Sequence, residues 1–164
     1  MKVVILSQND VKIKNEVKKR AKKLINQVAK NKKTKQEIIE ACFDYIRKNI
    51  TYNGQHQGDK DNYYIDALTG LKTWHGDCLV SNGVLRIICE ELDVPIIVVE
   101  RSSKERSHHY WLLIDTGDGW YHYDAFNQYN RIYKWTDQKL ISWSKANNNY
   151  QEFDTSLYPS TPKQ

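Results

Sequence analysis

Little in this 164-residue sequence is able to cross-link or anchor the chain. There are three cysteines, Cys42, Cys78 and Cys89, widely spaced and with no C-x-x-C pair. The odd count argues against a disulfide framework, and the spacing argues against a structural zinc site. At least one thiol is expected to be free. Long apolar runs are also missing. No segment approaches the ~18 apolar residues that span a bilayer. The opening MKVVILSQND carries only four apolar residues in a row, too few for the apolar stretch of a signal peptide. The expectation is a chain without membrane insertion, either cytoplasmic or a domain excised from a secreted or cell-surface protein. No repeat, linker or low-complexity tract breaks the sequence.

What is present suits a packed domain. Hydrophobic residues make up 40% of the chain and charged residues 27%, with 5 Trp and 11 Tyr. That composition opposes disorder, and the length is that of one ordinary domain with a core of its own. The net charge of +5 hides an asymmetry: residues 1–50 hold 14 Lys/Arg against 5 Asp/Glu, and residues 51–164 hold 11 against 15. A basic segment raises the question of nucleic acid. Here the lysines surround a helical apolar stripe, and no aromatic residue precedes Phe43, as single-strand binding would want. The reading is a solvated helix face and no nucleic-acid partner.

Periodicity places the elements. Val17, Ala21, Leu24, Ile25 and Val28 predict a helix over 13–30. Thr34 and Glu37 form a capping box ahead of a second helical stripe, Ile38, Ile39, Cys42, Tyr45 and Ile46, which puts Cys42 in the core. Residues 53–62 read as a polar loop, and 63–71 as a short helix ending at Gly70. From Cys78, the positions Val80, Val84, Ile87, Ile88 and Leu92 predict a helix closed by DVP, with Cys89 buried or half buried. Residues 96–100, 109–115 and 120–126 are β-branched and aromatic, as strands are, with TGDG as a hairpin signal. A last helix is predicted at 136–146, then a tail. The fold class is α+β: helices followed by an antiparallel sheet.

Cys78 stands apart from the other cysteines. It follows Gly-Asp at the start of its helix, where unpaired N–H groups and the helix dipole favour a thiolate. A nucleophilic thiol also needs a base. If residues 116–119 form the hairpin loop, Asp115 pairs with Trp120 and Trp111 lies opposite Asp124. His109 is then diagonal to Asp124 on the same face, within reach of a hydrogen bond. A three-residue loop would separate them. With that face turned toward Cys78, His109 can deprotonate the thiol while Asp124 orients the imidazole, the logic of a Cys-His-Asp triad.

GDC opening a helix, HHYW on a strand and GWYHYDAF on the next resemble the transglutaminase-like superfamily of papain-type cysteine enzymes, most of all its bacterial branch, with motifs G-D-C, H-x-W and W-x-x-x-D. The resemblance covers roughly residues 34–130, and the approach IRKNITYNG is similar too. It implies a papain-like fold in which the helix bearing the cysteine packs on a sheet carrying His and Asp. The whole chain, 1–164, is then one transglutaminase-like domain, with a basic N-terminal helix in 1–33, a core at 34–130, and a C-terminal helix and tail in 131–164. It also implies Cys78 as nucleophile, His109 as general base and acid, and Asp124 as the orienting residue, acting on a protein or peptide substrate without a cofactor, as a monomer. Leu79, Val80 and Ser81 after the cysteine depart from the family's frequent small or aromatic residue, and His108 doubles the usual single histidine.

The implied chemistry is acyl transfer through a thioester: proteolysis, deamidation or transamidation. The alternative is a non-catalytic binding or scaffold domain of a cell-surface protein that retains the fold. The Cys78 N–H is the natural first oxyanion donor, with Trp74 or Tyr52 as the second. Trp111 and Trp120 are expected to wall the cleft. Asp77 caps the Cys78 helix. His75 beside the nucleophile is read as a bystander, and His108, His109, His122 and Asp124 are not read as a metal site, because His108 faces away from the others.

Overall fold

The computed structural model describes residues 7–55, 58–59 and 61–163. The apolar run at 3–6, and positions 56, 57 and 60 of the polar loop, lie outside the described residues. Helix α1 spans Gln8–Val28 and starts earlier than its apolar stripe indicated. Ser7 accepts from the Asp10 N–H and the Asp10 carboxylate accepts from the Ser7 N–H, a capping box that nucleates the first turn ahead of the stripe. Val17, Ala21 and Leu24 are buried, while Lys12, Lys18, Lys19, Lys22 and Lys23 lie in solvent. Helix α2, Lys35–Asn49, begins at the Thr34–Glu37 box as its sequence indicated, with Cys42 fully buried.

Helix α3 runs Tyr63–Thr73, through Gly70 rather than stopping there. A Cβ on Gly70 would lie 2.6 Å from Val84 Cγ2, so this glycine lets α3 lie close against helix α4, Cys78–Glu91. The helix ends instead at Trp74, in the left-handed conformation at φ 55°. None of the described helices is long and apolar enough to cross a membrane.

Four strands form one antiparallel sheet in chain order: β1 Ile96–Glu100, β2 Tyr110–Asp115, β3 Trp120–Asp124 and β4 Ile132–Trp135. The hairpin register is the expected one, with Asp115 opposite Trp120. Strand β4 was not expected. It has four residues and pairs with β3 through a bulge that places Lys134 at φ 54°. So short and irregular a segment carries almost no period-2 signal.

Alternation along β2 divides the core in two. Leu112 and Ile114, with Tyr123 of β3, pack against α1–α4. Trp111 and Leu113 face the other way, with Val99, Ile132, Trp135, Leu140 and Phe153, under helix α5, Asp137–Ala146, and the segment after it. That segment is no loose tail: Tyr150, Gln151, Phe153 and Thr161 are buried, and Thr161 and Asp137 exchange two hydrogen bonds. The sheet is thus covered on both faces.

Candidate active site

The site forms where the N-terminus of α4 meets one end of the sheet. Asp77 caps α4, accepting from the Val80 N–H at 3.2 Å and from the Gly58 N–H at 3.1 Å. Gly76 is required by crowding: a Cβ there would lie 2.3 Å from Val80 Cβ and 2.4 Å from its Cγ1. The chain leaving α2 is tied alongside, with the Thr51 N–H donating to the Trp74 carbonyl and the Gly76 N–H to the Thr51 carbonyl. These bonds bring Tyr52 beside Cys78, where it meets Phe126 edge-on at 5.1 Å.

Cys78 is 7% exposed. Burial, reinforced by the carboxylates of Asp77 and Asp124, pushes its thiol up to about 12 against the N–H groups of Tyr110 and Leu79, which pull it down. The sequence argument anticipated a thiolate favoured by the helix start. In the resting protein desolvation outweighs that effect, and the sulfur carries its proton. Cys42 and Cys89 lie deeper still, with no exposure, and their thiols are raised by burial alone or chiefly by it.

His109, immediately before β2, is 3% exposed and its Nε2 lies 2.7 Å from Asp124 Oδ2. Asp124 is 4% exposed and well supplied with donors. Its Oδ1 accepts from Asn82 Nδ2 at 3.1 Å and the Phe126 N–H at 3.0 Å, and its Oδ2 accepts from Gln151 Nε2 at 2.9 Å. Burial pushes this carboxyl up, but the charge His109 carries when protonated, its hydrogen bond, and the hydrogen bonds of Asn82 and the Phe126 N–H hold it below its usual value. An ionised Asp124 can only accept, so Nε2 carries the proton and Nδ1 is the basic position of the neutral ring. The ring is boxed by Trp111, Phe126 and Tyr150 at centroid distances of 5.7, 5.8 and 5.1 Å.

His109 and Asp124 therefore meet as the hairpin register indicated, but on a different side of the sheet from the one anticipated. Their neighbour Trp111 faces α5, away from α4. Cys78 and His109 share a cleft only because His109 stands at the very end of β2, where α4 passes the sheet's end. That cleft, of about 300 Å³, is also lined by Tyr52, Arg101, Phe126 and Tyr150. A second groove of about 510 Å³ also reaches Cys78 and shares Asp77, Ser107 and His108 with the first; Asp59, Asp61, Leu79 and Tyr110 line it as well.

The remaining expectations divide. Tyr52 lines the cleft. Trp74 does not: its ring packs edge-on against Tyr45 at 5.4 Å, on the first core, and its contribution is the backbone tie to Thr51. Trp111 is fully buried in the second core rather than walling the cleft, donating from Nε1 to His122 Nδ1 at 3.0 Å. His122, fully buried, in turn meets the half-buried Asp137 at 2.8 Å, a structural pair. Trp120 packs on the same core. His75 is exposed and bonded to Thr51; His108 is exposed and lies 3.1 Å from Glu100. Among the described residues no three His, Cys, Asp or Glu side chains gather as a metal site would require.

Two supporting residues escaped the sequence reading. Asn82 donates to the Tyr110 carbonyl and to Asp124, and accepts from the Ala125 N–H at 2.9 Å, so it ties α4 to both strands. Its signal was available: it lies one turn beyond Cys78 on the same helix face. Gln151 had none, lying in a segment without periodicity.

The comparisons agree with this architecture. The chain matches the transglutaminase-like superfamily over residues 22–125 and belongs to it. Among solved structures, a TGase crystal structure superposes with a TM-score of 0.54 at 17% identity, over 85% of this chain and 38% of that one. A candidate cysteine protease from Cytophaga hutchinsonii superposes with a TM-score of 0.52, also at 17% identity, over 78% of this chain and 45% of that one. The chain thus spans less than half the length of these two structures. At such identity the likeness establishes the fold. No curated protein matches significantly.

Proposed function

We propose that this transglutaminase-like chain is a cysteine acyl-transfer enzyme in which Cys78 attacks a peptide or side-chain carboxamide carbonyl, His109 relays the proton, and Asp124 orients the imidazole. The observation that carries this reading is the buried His109–Asp124 pair at 2.7 Å, opening onto the same cleft as Cys78 at a helix N-terminus. Because the resting sulfur is a thiol, the proton leaves for His109 Nδ1 as the S–C bond forms. The departing amine then takes that proton, leaving a thioester. The N–H of Cys78, in the first turn of α4, is the donor best disposed toward the oxyanion. Water resolving the thioester gives hydrolysis or deamidation; an amine gives transamidation.

Alkylation tests the first half. A thiol raised from 9.0 to about 12 by burial, with no base to help it, is ionised about a thousandfold less at pH 7 than an ordinary thiol and should react with iodoacetamide correspondingly more slowly. With His109 accepting the proton, Cys78 is expected to react faster than free glutathione at pH 7 and to lose that advantage in His109→Gln. Slow alkylation in a folded protein, unchanged by His109→Gln, would remove the catalytic reading and leave a binding domain that keeps the fold. Incubation with glutamine-containing peptides, with and without a primary amine, followed by mass spectrometry, separates cleavage, deamidation and amine incorporation.

A further inference from the structure

The cleft that holds Cys78 and His109 is also lined by a cation with one nitrogen unpartnered. Arg101, just beyond the end of β1, is only 7% exposed, a depth at which guanidinium groups are ordinarily paired with carboxylates. Nε donates to the Tyr150 carbonyl at 2.7 Å and Nη1 to the Ser107 carbonyl at 2.8 Å, while the guanidinium lies over the Tyr150 ring, 4.4 Å from its centroid. Nη2 is buried and has no hydrogen-bond partner, and among the described residues no carboxylate pairs with Arg101. Burial lowers its pKa, as expected for an unneutralised cation, and nearby Arg106, which also lines the cleft, works in the same direction. Asp77, among the described residues the one carboxylate lining this cleft, is engaged by the backbone of Val80 and Gly58.

A guanidinium fixed by two carbonyls and stacked on a ring cannot swing out to water to satisfy its Nη2 donors. Leaving it in place costs stability, and a bound anion would offset that cost. Its charge is permanent, whereas the charge on a tetrahedral intermediate is transient. The ligand it best complements is therefore a permanent anion that stays with the substrate throughout.

We propose that Arg101 is a carboxylate-recognition site, and that the substrate carries a carboxylate close to the carbonyl presented to Cys78. This deepens the acyl-transfer reading and rests on it only for the identity of the neighbouring group. The carboxylate comes either from an acidic side chain or from a chain terminus, and both would meet Nη2 in the same way. A charge-assisted hydrogen bond to a buried guanidinium is worth about tenfold to a hundredfold in affinity.

The test is binding, read without turnover, by NMR titration of the full chain. Three probes separate the sources: acetyl-Glu-methylamide with a side-chain carboxylate, acetyl-Gly-Gly with a terminal one, and acetyl-Gly-Gly-amide with neither. One carboxylate probe is expected to bind at least tenfold tighter than the amide, with the shifts centred on residues 101, 107 and 150 and the preference weakening as salt is raised. Arg101→Lys should keep part of the preference and Arg101→Met should abolish it. Equal affinity of all three probes, or no binding by any of them, would mean that Nη2 is merely hydrated and would overturn the proposal. That comparison uses the unmodified protein, so it decides even if the variants fail to fold. A preference for carboxylate that survives in folded Arg101→Met would overturn it as well. Inert Cys78 with intact carboxylate preference would sink the enzyme reading while sparing this one.

Discussion

Replacing Asn82 with alanine should damage the site more than any surface change, and the structure allows the damage to be estimated. Asn82 is buried and makes three hydrogen bonds, to the Tyr110 carbonyl at 3.0 Å, to Asp124 Oδ1 at 3.1 Å and from the Ala125 N–H at 2.9 Å. Alanine leaves the Tyr110 carbonyl and the Ala125 N–H without these partners and takes from Asp124 one of its donors. At about 1–3 kcal/mol per orphaned buried group, partly relieved by water entering the gap, the expected loss is about 3–5 kcal/mol. For a chain of this size that lowers the melting temperature by roughly 8–15 °C. Asn82→Asp keeps the shape but sets a second carboxylate against Asp124. Mutual repulsion raises the folded-state pKa of the pair above its unfolded value. Its stability is therefore retained at low pH and lost as pH rises, so the deficit of Asn82→Asp relative to Asn82→Ala should grow between about pH 5 and pH 8. Thermal melts across that range, with Cys78 alkylation as a second readout, check both statements. A melting temperature within about 3 °C of the parent for Asn82→Ala, or a pH-independent gap between the two variants, would refute the account of this network.

Two further outcomes follow from single side chains. Gly76→Ala places a Cβ 2.3 Å from the β-branched, fully buried Val80, which has no other rotamer to adopt. The first turn of α4 must shift, at about 1–3 kcal/mol, and Cys78 alkylation should slow. Val80→Ala in the same chain should not restore it, because alanine keeps the Cβ that lies 2.3 Å away. No change on Gly76→Ala, or full rescue by Val80→Ala, contradicts the steric reading. Asp66 is 1% exposed, with Oδ2 unpartnered, and burial, reinforced by Asp77 and Asp59, raises its carboxyl to about 7 against the Asp59 N–H. The folded value lies above the unfolded one, so stability present below about pH 4 is lost as pH rises toward 7, by at most about 4 kcal/mol. Asp66→Asn should match the parent in urea melts near pH 4 and exceed it at pH 8; a constant difference across that range would refute the assignment.

The local elements were largely legible because their causes are local. The Thr34–Glu37 capping box, the α4 start at Asp77–Cys78 and the 116–119 hairpin each depend on residues within a turn or two of one another. Three features escaped for the opposite reason. Gly70 reads as a helix stop in sequence, yet it lies inside α3 because Val84, fourteen positions away, occupies the space a side chain would need. The β4 strand exists because β3 offers a free edge, and its bulge erases the alternation that would have marked it. The segment after α5 has no period at all, yet it brings Gln151 to Asp124 and Tyr150 to both His109 and Arg101.

By itself the sequence determined the order of the helices and of the first three strands, the loop length that puts His109 diagonal to Asp124, and the helix start that carries Cys78. Each is a matter of spacing along a chain with known rise and side-chain period. Only the tertiary structure decided which face of the sheet the histidine and aspartate occupy, that Trp74 and Trp111 lie outside the cleft, that the thiol is pushed up rather than down, and that Arg101 keeps an unpaired donor beside it. Those are consequences of burial. Desolvation and hydrogen-bond pairing are set by whatever the rest of the chain packs around a residue, and no local pattern records that.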